Sequence, residues 1–319
     1  MRRLAIVHPK TLVGKEIIER VDAYPALAGE RRLLSSLESE IGELADAGGA
    51  AFIGRLDEEA FEGVDLALFC GAIESEREVL ARLPRRLPVV LASAGVTPAD
   101  APLAVSGVAL PALAGADRLA SPHPLAVALA LLLSPLHAFD LRRAIATALL
   151  PVSLTDEDGI DELFNEARAL LTFQSPPKSK RFGAQLAFNA IPATLAPGDL
   201  ERATLGALGA DLPLSVQAIQ AGIFHAVGVS LYVELGEAPA PADLRRALGR
   251  APHLELAKHP GRFGPVAAAG GERLAIGEVR AADADGGYWI WAAMDNLVRG
   301  AALNALELGE SLLAAGRPA

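Results

Sequence analysis

The chain has 319 residues, of which 51% are hydrophobic and 21% charged, and its formal charge is −10. That length exceeds one ordinary core and predicts two domains, and the composition is that of a globular protein rather than a disordered one. The acidic balance excludes a phosphate-backbone partner, which needs a basic face to displace counterions; the densest basic stretch, Lys178, Lys180 and Arg181, reads as a solvated loop beside Pro176 and Pro177.

A single cysteine, Cys70, leaves no disulfide framework and no Cys-rich metal site, so a metal-independent protein of the reducing cytoplasm is expected. The opening MRRLAIV reads as a first strand, because its apolar run stops at His8-Pro9-Lys10 with no small-residue cleavage site after it. The uncharged stretch from Leu119 to Phe139 contains Pro122, Pro124 and Pro135, which leave roughly 16 Å of helix against a ~30 Å hydrocarbon core. A buried helix is expected there, and no membrane span.

Along the chain, Leu4–Val7 is followed by a helix from about Lys15 to Val21, then by short apolar runs at 50–53, 64–69 and 88–92, with an amphipathic helix around 77–83. Strands alternating with helices predict a doubly wound, Rossmann-like parallel sheet over residues 1–122. After the helix 125–133, longer strands at 144–152, 217–223 and 229–235 predict an α+β domain with a mixed sheet over residues 123–294, with a helix at 160–171. Connectors at Ala196-Pro197-Gly198 and Gly236–Pro241 punctuate it, and Asp243 reads as the N-cap of a helix from Leu244. A last helix begins after Asp295, with Leu297, Ala301, Leu308 and Leu312 on one stripe.

Two segments, RFGAQLAFNAIPA at 181–193 and AAMDNLVRGAALNALELGESLL at 292–313, resemble the aspartate-semialdehyde dehydrogenase family, closest to its divergent USG-1-like branch. Ala120-Ser121-Pro122, Ile160-Asp161-Glu162-Leu163, Ile219-Gln220 and Val233-Glu234-Leu235 support the resemblance along nearly the whole chain. It implies a nucleotide-binding-type first domain completed by the C-terminal segment 295–319, and a central catalytic and dimerisation domain. It also implies a homodimer, or a heterodimer with a related subunit.

Family members reduce an acyl phosphate through a cysteine thioester, with a histidine acid/base, a positioning glutamine and substrate-binding arginines. The resemblance implies that these roles are vacated here. A helix N-terminus lowers a thiol's pKa, but the matching residue is Pro124, which has no thiol and no N–H. The glutamine falls at Leu150, the histidine at Val227, the carboxylate-binding arginine at Gln220 and the phosphate-binding arginine near Val96. Asp199 and Arg202 keep charges where the family has substrate contacts, but are equally a surface ion pair. The substitutes in reach are His123, beside the vacated nucleophile; His225, which a two-residue strand shift would bring to Val227's place; and Cys70, read as a packed hydrophobe.

The family's first strand leads into Gly-x-x-Gly-x-x-Gly, whose glycines let a pyrophosphate approach the backbone. This chain has His8-Pro9-Lys10-Thr11-Leu12-Val13-Gly14, retaining Gly14 alone, with Gly71 in a second turn that adds Glu74. Lys10 and Lys15 read as solvated. The expectation is a pseudoenzyme with no cofactor, acting through dimerisation or ligand binding. The alternative is an active semialdehyde or acyl-phosphate oxidoreductase with a rearranged site, which would need NADP.

Overall fold

The computed structural model describes residues 2–46, 49–108, 115–196, 198–283 and 286–315. The chain runs β1 (Arg2–Val7), α1 (Leu12–Arg20), β2 (Gly29–Ser35), β3 (Gly42–Asp46), β4 (Gly49–Arg55), β5 (Leu66–Phe69), α2 (Ile73–Arg82), β6 (Val89–Leu91) and β7 (Arg118–Ala120). It continues with α3 (Pro124–Leu133), β8 (Leu141–Leu150), α4 (Asp156–Leu171), β9 (Ala190–Pro192), α5 (Asp199–Leu208), β10 (Leu214–Ala221) and β11 (Val227–Leu235). Then come α6 (Pro241–Arg250), β12 (Leu254–Leu256), α7 (Pro265–Ala268), β13 (Leu274–Ala281), β14 (Gly287–Met294), a π-wound turn Val298–Leu303 and α8 (Asn304–Ala315). Two compact units result, Met1–His123 with Ala301–Ala319, and Pro124–Gly300.

In the first unit the described strands form one sheet in the order β3-β4-β2-β1-β5-β6-β7, parallel except for β3 at its edge. Leu4–Val7 and Leu66–Phe69 are buried without interruption, as a parallel sheet covered on both faces requires. The sheet grows from β1 to β2 on one side and to β5 on the other, and ligand crevices in such folds open at the carboxyl ends of the strands at this switch point. Helix α8 seats on β5: a Cβ on Gly309 would lie 2.8 Å from Leu66 Cδ2, so any larger residue there would push the leucine side chain aside. Asn304, fully buried, accepts from Ser106 N at 2.8 Å and donates to Ala104 O at 3.1 Å and Ser121 Oγ at 2.8 Å.

The second unit's sheet has the order β12-β13-β14-β11-β8-β10-β9. Its strands alternate. Ala144, Ala146, Ala148, Val229, Leu231, Val233, Ile290 and Ala292 are buried, and α3, apolar all round and buried from Leu125 to Leu133, packs on this side with α5. The opposite side carries Ile145, Thr147, Gln217, Ser230, Tyr232 and Trp289, half-buried or exposed. The register aligns Ile145 with Tyr232 and Tyr232 with Trp289; the last two rings meet at 5.2 Å, and the Arg280 guanidinium lies over Trp289.

Several expected boundaries are corrected. Helix α1 starts earlier than Lys15, because Thr11 caps it by accepting from Gly14 N. Asp243 is not an N-cap: α6 begins at Pro241, whose missing N–H costs nothing at that position, and Asp243 pairs with Arg246 inside the first turn. Strand β8 stops at Leu150, before Pro151. The last helix opens as a π-wound turn and becomes α-helical only at Asn304; Asp295 caps its start, accepting from Leu297 N and Val298 N at 2.8 Å each. Residues 316–319 and Pro197 lie outside the described residues. No helix among the described residues is long and apolar enough to cross a membrane.

Candidate functional site

The sheet register brings together several of the residues that the family resemblance singles out. Gln220 in β10 pairs with Leu150 in β8; Val227 in β11 pairs with Met294 and precedes Gly228, whose partner is Leu149. Gln220, Leu150, Val227 and Met294 therefore form one row on the helix-covered side, and all four are buried. Pro124 reaches the same end through Gly300: a Cβ there would meet Pro124 Cβ at 2.9 Å and Met294 Cε at 3.1 Å. Gln220 spends its amide on the backbone, donating to Leu150 O at 3.0 Å. The row is apolar packing around one satisfied amide, with no nucleophile and no proton carrier in it.

His225 does not join it. Residues 222–226 form a bend before β11, so the two-residue strand periodicity that would align His225 with Val227 does not apply. Ala226, in the left-handed region at φ 70°, is held by Asn296 Oδ1, which accepts from Ala226 N at 2.9 Å while the Asn296 amide pairs with Ser153. Burial holds the His123 imidazole down at about 4, so it is neutral at pH 7. Asp199 and Arg202 form an ion pair on the exposed first turn of α5. An open groove of about 880 Å³ lined by Lys258, His259, Arg262 and Phe263 contains none of the sequence-predicted residues.

The carboxyl edge of the first unit's sheet holds a second constellation. His8, at the end of β1, takes φ 57°, a left-handed conformation uncommon outside glycine, and is buried. Its Nδ1 lies 2.8 Å from Glu76 Oε1 and its Nε2 2.9 Å from Ser36 Oγ. Glu76, on α2 and fully buried, also accepts from Gly71 N at 2.9 Å and from the Ser93 hydroxyl. A carboxyl group at Nδ1 favours the tautomer with its proton on Nδ1, which leaves Nε2 able to accept from the Ser36 hydroxyl. The acid in this crevice is thus Glu76; Glu74 is exposed.

Both predicted glycines serve packing in this crevice. A Cβ on Gly14 would meet His8 O at 2.6 Å, and one on Gly71 would meet His8 Nδ1 at 2.2 Å and Glu76 Oε1 at 2.7 Å. Thr11 donates its hydroxyl to His8 O and Cys70 O. Burial pushes the Cys70 thiol well above its usual value, and the Glu76 charge pushes it the same way, so the thiolate needed for attack does not form at neutral pH. Ser36, Glu76 and Ser93 carry no local sequence signal, since 28 and 68 residues separate His8 from Ser36 and Glu76.

Residues 133–299 match the family described as "Semialdehyde dehydrogenase, dimerisation domain". A USG-1 protein homolog from Azotobacter vinelandii is 31% identical, with 98% of each chain covered. The chain belongs to the semialdehyde dehydrogenase family. Within that family, an aspartate-semialdehyde dehydrogenase from Aquifex aeolicus is 24% identical over 98% of each chain. The solved structure of a probable aspartate-semialdehyde dehydrogenase from Pseudomonas aeruginosa superposes with a TM-score of 0.89 at 29% identity, covering 98% of both chains. Aspartate semialdehyde dehydrogenase II from Vibrio cholerae shares the fold at a TM-score of 0.89 and 22% identity, over 100% of this chain and 99% of that one.

Proposed function

We propose that this family member does not run the family's oxidoreduction and acts through assembly, as a homodimer or beside a related subunit. The observation that carries this is the row at Pro124, Leu150, Gln220 and Val227. A thioester mechanism needs a thiolate and a proton carrier at that end of the sheet, and packed apolar side chains stand there instead. The first unit's crevice does not fit a dinucleotide either. Where a pyrophosphate would press against the turn glycines, Gly71 faces His8 and the Glu76 carboxylate, which blocks the approach and repels phosphate. The open side of the second sheet, with Ile145, Tyr232 and Trp289, supplies an aromatic face for pairing. A single buried cysteine suits a reducing, cytoplasmic setting.

Calorimetry with NADP and NAD on the purified protein, beside an aspartate-semialdehyde oxidation assay in phosphate, tests this. Neither binding nor turnover is expected. Saturable NADP binding with turnover would overturn the proposal.

A further inference from the structure

Ser36, His8 and Glu76 stand in the relation of nucleophile, base and orienting acid. The hydroxyl is 2.9 Å from Nε2 and the carboxylate 2.8 Å from Nδ1, both within the range that proton transfer requires. The acid is itself held in place: Gly71 N–H donates to one oxygen and the Ser93 hydroxyl to the other, which orients the carboxyl group against His8 Nδ1. Burial grades in the order a working array needs. Glu76 is 0% exposed and His8 4%, whereas Ser36 stands exposed at the rim, where a substrate can reach it. The array lies at the switch point of the parallel sheet, where such folds place ligands. The left-handed backbone at His8 is a further cost that the fold sustains to hold the ring there.

We infer that Ser36 is the nucleophile of an acyl-transfer site that hydrolyses small esters or thioesters, with His8 as general base and Glu76 as its positioning residue. This goes beyond the function proposed above: it uses the first unit alone and stands or falls independently of dinucleotide chemistry and of assembly. Ser36 Oγ bonds to the acyl carbon as its proton passes to His8 Nε2. The bond from the acyl carbon to the leaving oxygen or sulfur breaks, and the alcohol or thiol departs with that proton. Water then attacks the acyl-serine, gives its proton to His8, and releases the carboxylic acid as Ser36 recovers its hydrogen. Helix α1 begins at Leu12, directly after the turn that carries His8, so its positive end lies at the same sheet edge and favours the anion that forms on the acyl oxygen.

The test uses the full chain with a fluorophosphonate probe and with p-nitrophenyl acetate and butyrate. Mass spectrometry is expected to find the phosphonate on the Ser36 peptide, and ester hydrolysis to fall at least ~100-fold in Ser36→Ala, whose exposed site leaves folding intact. Glu76→Gln reverses the preferred tautomer. It is expected to lower kcat with KM unchanged, and Glu76→Asp to recover part of the rate; a purely structural carboxylate would move the melting temperature instead. No label on Ser36, or hydrolysis equal in Ser36→Ala and the unaltered protein, would overturn the inference even if NADP binding is also absent.

Discussion

At Asp100 four donors converge on one carboxylate. Arg77 donates through Nε at 2.8 Å and a terminal nitrogen at 3.2 Å, and Thr97 through its N–H and its hydroxyl at 2.9 Å each. The Arg77 hydrogen bond, with help from Thr97, holds the Asp100 carboxyl down at about 2, against an ordinary 3.8. A carboxyl held below its unfolded value stabilises the fold above pH 4, and that contribution is lost as pH falls toward 2. Because the Arg77 side chain is 48% exposed, solvent screens the pair, and Asp100→Asn is expected to cost about 1 kcal/mol at pH 7 and almost nothing at pH 2. Melting curves across that range check it; a deficit that persists at pH 2 would refute the linkage. The site residues show how unevenly single residues can be read. Pro124 stands out in the sequence because proline has neither a thiol nor an N–H to offer at a helix start. His8 shows in the sequence only as a residue of the first turn, since its partners, Ser36 just after β2 and Glu76 on α2, arrive through strand order, which spacing along the chain does not encode.

Elements that were legible are the ones buried on all sides. Leu4–Val7 and the run through Leu133 announce themselves by unbroken apolar character, whereas β2 was missed because Glu30, Arg31 and Arg32 interrupt it, their charges lying half-buried or exposed beside a covered Leu33-Leu34-Ser35 end. β13 and β14 were missed for a related reason: Glu278 and Arg280 face solvent, and the aromatic run of β14 leads without a turn signal into the last helix. That helix shows what one polar residue does for an element. Asn304 joins α8 to Ser106, Ala104 and Ser121, and Asn304→Ala removes the bonds it makes to the buried Ala104 O and Ser121 Oγ at a cost of about 2–4 kcal/mol. Urea unfolding followed by hydrogen exchange should show the loss in β6 and β7 and leave β8 and β11 protected; equal loss in both sheets would refute the assignment.

For the whole molecule, the prediction concerns the uncovered side of the second sheet. Ile145 is 42% exposed beside Tyr232, in the same row as Trp289, on the side of the sheet away from the buried Ala144, Ala146 and Ala148. Ile145→Asp is therefore expected to convert a dimer to a monomer by light scattering with the melting of isolated protomers preserved. A variant that stays dimeric would move the interface elsewhere. A net charge of −10 keeps free protomers soluble, so dissociation should be readable without precipitation.

The first unit is closed by residues that come last in the chain: Ala301 onward returns to it, and Gly309 lets α8 press against Leu66. During synthesis the ribosome therefore releases all of Pro124–Gly300 before the first sheet receives its final cover. The middle of the chain can mature while the beginning waits, holding β5 and β6 open to solvent. For the time needed to translate about 180 residues at 5–20 residues per second, on the order of ten seconds or more, that uncovered sheet face is where a holding chaperone has most to protect.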